Sequence, residues 1–135
     1  MKTLKLLSFF IAVALFSGCK NDDDATQDAS LEGVWKLTRV QGGFGGVDEE
    51  FEPGVITWDF NFENQTVTVV NNQTPESGFD FFDSGIYSFS VLSAGDPQSG
   101  TMIINELDFG YPTVGNQKMT LDQRESDGFF VTLKR

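Results

Sequence analysis

The chain has 135 residues, 9 basic and 20 acidic side chains, one cysteine and no histidine. Without an imidazole, serine triads and cysteine–histidine pairs lose their usual base, and most zinc sites lose a ligand. A formal net charge of −11 gives no basic face to displace phosphate counterions, so nucleic acid is not expected as a partner.

Met1 to Lys5 is short and basic, and Leu6 to Phe16 is eleven residues long with Ser8 its only polar member. Such a run is too short to cross a bilayer and suits the apolar region of a secretory leader. It ends at Phe16-Ser17-Gly18-Cys19, with small residues at the two positions before the cysteine. This pattern resembles the lipobox of bacterial lipoproteins, although Phe16 stands where an aliphatic residue is usual. The resemblance implies a signal peptide over residues 1–18, cleavage after Gly18 and a lipid anchor on Cys19. The segment Lys20-Asn21-Asp22-Asp23-Asp24 then resembles the surface-export signal of Bacteroidota lipoproteins, carried by Lys20, Asp22, Asp23 and Asp24. The other use for such a run is a solvated acidic linker. Residues 19–30 are expected to be a flexible tether, since they lack apolar periodicity. The implied location is the bacterial outer membrane, lipid-anchored and exposed at the cell surface.

Residues 31–135 read as one domain of alternating strands. Gly33 to Val40 puts Trp35 and Leu37 on one face, opposite Lys36 and Thr38. Val55 to Phe62 puts Ile56, Trp58, Phe60 and Phe62 together, a grouping that a helix would scatter around its axis. Thr66 to Val70 returns with Val67 and Val69 inward. Ser84 to Leu92 carries Tyr87, Phe89 and Val91, and Thr101 to Leu107 carries Met102-Ile103-Ile104. Lys118 to Asp122 places Met119 beside Leu121. Asp127-Gly128 signals a hairpin into Phe129, Val131 and Leu133. These are seven strands, with room for an eighth in Phe44 to Phe51 or in Phe79 to Phe82. No segment reads as an amphipathic helix of ten or more residues. Short strands at regular spacing imply a sandwich or a closed antiparallel barrel, and closure removes exposed edges.

Leu31-Glu32-Gly33-Val34-Trp35-Lys36-Leu37 resembles the Gly-x-Trp signature that opens a lipocalin barrel. The strand ending Asp59-Phe60-Asn61-Phe62, the Gly85-Ile86-Tyr87-Ser88-Phe89 strand and Met119-Thr120-Leu121 before a last hairpin extend the likeness. Together they are similar to the lipocalin-like domains of Bacteroidota lipoproteins, over about Leu31 to Arg135. The resemblance implies an all-β fold, a single small antiparallel up-and-down β-barrel of seven to eight strands. It makes Gly33 and Trp35 a structural signature, with Trp35 packed under a basic residue: Arg124, Lys134 or Arg135. The chain is shorter than a typical lipocalin and shows no terminal helix.

In that barrel Trp58, Phe60, Tyr87 and Phe89 face inward, with Phe44 and Phe81 on loops at the rim. They suit contact with a small apolar or amphipathic ligand, and equally a filled core in which phenylalanine supplies the packing. The expected function is non-catalytic: ligand binding, or alternatively a solid-barrel interaction module whose loops dock an envelope protein. No catalytic residue, cofactor or resident metal is expected. The acidic run Asp48, Glu49, Glu50 and Glu52 reads first as a solvated loop, with Asp48 and Glu50 the leading residues for any calcium.

Overall fold

A computed structural model of the chain describes residues 30–93, 100–123 and 127–135. The signal peptide, Cys19, Lys20 and the aspartates at 22–24 lie outside the described residues, as does Arg124.

Ten strands follow in chain order, with no helix among the described residues: β1 (Gly33–Gly42), β2 (Val47–Glu50), β3 (Ile56–Asn61), β4 (Thr66–Asn71), β5 (Gly85–Leu92), β6 (Thr101–Ile104), β7 (Leu107–Asp108), β8 (Tyr111–Gly115), β9 (Lys118–Asp122) and β10 (Phe129–Lys134). All strand pairs are antiparallel, in the order β7-β6-β5-β4-β3-β1-β10-β9-β8, with β2 beside β1. First and last strands are therefore neighbours, and the sheet curls on itself as an up-and-down barrel. The expected seven to eight strands become ten. Of the two places proposed for an eighth, residues 47–50 form β2, while Phe79 to Phe82 remains a loop.

The count rises further through β7 and β8. Leu107 pairs with Ile104 in β6, and Tyr111 pairs with Asp122 in β9. Between them the Phe109 amide donates to Met102 O at 2.8 Å, and the Met102 amide donates to Gly110 O at 2.7 Å. One bent segment, residues 107–115, thus hands the wall from β6 to β9. Gly110 makes the bend at φ +72°, where an added β-carbon would collide with the Asp122 carbonyl.

Alternation decides what is buried. Trp35, Leu37 and Val40 of β1, Ile56, Trp58 and Phe60 of β3, and Val67 and Val69 of β4 all point inward. Met102, Ile104, Met119, Leu121, Val131 and Leu133 complete the core from the far wall. Phe62 departs from the alternating pattern: it lies past the end of β3 and is half exposed, with its ring against Phe89.

Candidate functional site

Both ends of the barrel are closed by side chains. At the end where the chain enters, Trp35 is fully buried and the Arg135 guanidinium lies 4.2 Å from its ring centroid. Trp35 Nε1 donates to Leu31 O at 2.9 Å. Arg135 Nη2 donates to the carbonyls of Ser30 and, at 2.8 Å, Glu32. Between the two described residues open to the role, Lys134 and Arg135, it is Arg135 that caps Trp35. Gly33, the other signature residue, takes φ +100°, a left-handed backbone that a side chain would strain.

At the opposite end the loop between β4 and β5 folds inward. Asn71 Nδ2 donates to Asp80 Oδ2 and to Phe82 O, both at 2.9 Å, which clamps the loop to the last residue of β4. Phe81 adopts φ +65°, an uncommon backbone for a bulky residue. The turn sends Phe81 and Phe82 toward Trp58, at ring-centroid distances of 6.4 and 5.6 Å. Phe81 also meets Phe109 at 5.1 Å and Phe129 at 5.8 Å, and Phe79 meets Phe129 at 6.1 Å. Of the two residues read as a rim, Phe81 is part of a plug.

The sequence places four interior aromatics at a ligand wall, and the structure brings them into one ring cluster. Trp58 touches Phe60 at 6.3 Å and Phe109 at 5.6 Å in addition to the plug. Phe60 meets Phe89 edge-on at 5.2 Å, and Tyr87 lies tilted against Phe82 at 4.8 Å. The edge-to-face contacts of Trp58 with Phe60 and Phe109, and of Phe60 with Phe89, have a favoured geometry for aromatic quadrupoles. Trp58, Phe60 and Phe89 are buried by one another and by the plug; Tyr87 is half-buried, its hydroxyl donating to Asp83 O at 2.9 Å. One polar atom is left over: Trp58 Nε1 is buried without a hydrogen-bond partner. Phe109 carries no sequence signal, since it sits in a short link with no alternation, yet it is a central member of the cluster.

Phe44 joins none of this. It stands at the tip of the β1–β2 hairpin in Gly42-Gly43-Phe44-Gly45-Gly46 and is 94% exposed. Asp48 and Glu50 return along β2 to Arg39. Arg39 Nε and Nη2 donate to the two Asp48 oxygens at 2.7 Å each, and Nη1 lies 3.7 Å from Glu50. The hydrogen bonds from Arg39 hold the Asp48 carboxyl below its usual range, against an opposing desolvation. The carboxylates singled out for calcium are thus engaged by a guanidinium, and among the described residues no group of three or more ligating side chains could hold a metal.

The outer wall over β1 and β10 carries an open groove of about 430 Å³, lined among others by Arg39, Phe51, Lys118, Phe130 and Lys134. Fold and site together define a small antiparallel β-barrel domain with a filled interior and a structured outer face. No family model matches the chain, and neither a curated protein nor a solved structure does.

Proposed function

We propose that the chain is a lipid-anchored envelope lipoprotein whose barrel is a non-catalytic docking module that works through its outer surface. The observation that carries this reading is the packing around Trp58, whose ring meets those of Phe60, Phe81, Phe82 and Phe109. An apolar ligand entering there must displace rings already in contact, so it gains little buried surface over what it removes. The leader and Cys19 supply the anchor, and Lys20 with Asp22, Asp23 and Asp24 supply the export signal, on the lipobox and export resemblances.

Native mass spectrometry of the chain extracted from the envelope tests the filled barrel. The expected mass is the lipid-modified chain alone; a retained apolar or haem-like compound overturns the docking reading. Replacing Cys19 with serine should move the chain to the soluble fraction, and a chain that stays with membranes refutes the anchor. Replacing Asp22, Asp23 and Asp24 should reduce its protease accessibility on intact cells.

One observation favours the second reading, a small amphipathic ligand inside the barrel. The unpartnered Trp58 Nε1 would gain an acceptor from such a molecule. The same mass measurement separates the two.

A further inference from the structure

The strand register sets three lysines side by side. Lys36 of β1 pairs with Lys134 of β10, and Lys134 pairs with Lys118 of β9. Directly paired residues share a face, so the three side chains form one row across the outer wall, with neighbouring strands about 4.8 Å apart. Lys118 and Lys134 are exposed and Lys36 is half-exposed. None of the three forms an ion pair among the described residues. Like charges placed directly opposite one another destabilise a sheet. On a chain of net charge −11, the row gathers three of the 9 basic residues at one place.

Its neighbours sharpen the asymmetry. The next row holds Arg39, Thr132, Thr120 and Thr113, and the one beyond it Gln41, Phe130, Asp122 and Tyr111. On β2 and β9 the carboxylates of this wall are Asp48, Glu50 and Asp122, which lie in those further rows, and the first two are held by Arg39; on β3, Asp59 pairs with Val34 and is the one strand carboxylate diagonal to Lys36 among the described residues. The lysine row lies at the end of the barrel where the chain enters, and Arg135 fixes that entry by its bonds to Ser30 and Glu32.

We propose that this row is the face that the barrel turns to the phosphate-bearing headgroups of the membrane holding Cys19. The proposal rests on the lipid anchor argued above. Cys19 precedes Ser30 by eleven residues. At ~3.5 Å per extended residue, that length keeps the entry end within ~40 Å of the lipid. Tethering at that distance makes the charge contact intramolecular, so three lysines suffice without high intrinsic affinity. The wall then stands on a cationic foot, and the acidic β1–β2 hairpin with Phe44 points away from the anionic surface.

The test uses the full lipidated chain, reconstituted into vesicles of phosphatidylcholine alone or with phosphatidylglycerol. Flotation first establishes anchoring, and amine acetylation read residue by residue then follows Lys36, Lys118 and Lys134. On vesicles with phosphatidylglycerol, labelling of all three should slow by about fivefold, and high salt should restore it. Equal rates on both vesicles, in a chain that floats, overturn the proposal and leave the anchor standing. A chain that floats with neither removes the anchor and the proposal together. Equal protection by inorganic phosphate in detergent, without vesicles, marks a free-anion site and overturns the membrane assignment. In the double variant Lys118→Glu/Lys134→Glu, protection at Lys36 should vanish. The arms with the unaltered chain decide the matter even if that variant misfolds.

Discussion

A single C-terminal side chain closes one end of this barrel. Arg135 stacks on Trp35 and ties down the carbonyls of Ser30 and Glu32, so it links the end of the chain to the start of the domain. Arg135→Ala should lower unfolding free energy by ~1–3 kcal/mol, the sum expected of a partly desolvated cation–π contact and charged hydrogen bonds. Urea denaturation reads this directly, and an unchanged midpoint would refute the capping role. Arg135→Lys should not restore the loss, because an ammonium cannot stack as a plane while bonding two carbonyls. Asp48 gives a second prediction at this scale. Its folded pKa is depressed by the hydrogen bonds from Arg39, so its contribution is present above the ordinary carboxylate range and is lost as pH falls through the folded value. An NMR titration should therefore place the Asp48 midpoint below that of an unperturbed aspartate. A normal midpoint would mean that the pair does not persist in solution.

Among the elements, the critical one is the bent segment of residues 107–115. A β-carbon at Gly110 would lie 1.9 Å from the Asp122 carbonyl oxygen, and φ there is +72°. Gly110→Ala should destabilise the fold by ~2–3 kcal/mol through backbone strain that the wall cannot relieve. It should also raise hydrogen exchange at the Met102 amide, which bonds to Gly110 O; a protected Met102 amide in the variant would contradict the seam. This segment was also the least legible part of the sequence. The strands of the core announced themselves by alternation: Trp35 with Leu37, Trp58 with Phe60, Met119 with Leu121. β8 has no buried residue to alternate and carries Pro112, which reads as a break, while β7 is two exposed residues. β2 lay within the Phe44 to Phe51 stretch open to an eighth strand, but its charges read as a solvated loop and make sense only once Arg39 is seen opposite Glu50. The interior aromatics were legible as inward-facing residues; their mutual packing was not, because the plug depends on Asn71 clamping Asp80 and on the left-handed turn at Phe81. The lysine row was invisible for the same kind of reason, since pairing of residues 36, 134 and 118 is a matter of register.

At the scale of the whole molecule, charge acts in two opposed ways. The chain has 20 acidic side chains, and the ion pairs between described residues are the two that Arg39 makes. The folded barrel therefore concentrates negative charge that the unfolded chain can spread out, and this self-repulsion lowers its stability. Salt screens such repulsion over about 10 Å at 0.1 M. The thermal midpoint should accordingly rise as sodium chloride is added from low ionic strength, at constant pH. Scanning calorimetry measures it, and a midpoint that falls with salt would mean that attractive pairs outweigh the repulsion. The same salt should weaken the hold of Lys36, Lys134 and Lys118 on anionic headgroups, because that contact is attractive and solvent-exposed. Stability and orientation should thus respond to ionic strength with opposite signs. Such a pair of responses follows from an acidic body with one cationic row, and a uniformly acidic barrel would show only the first.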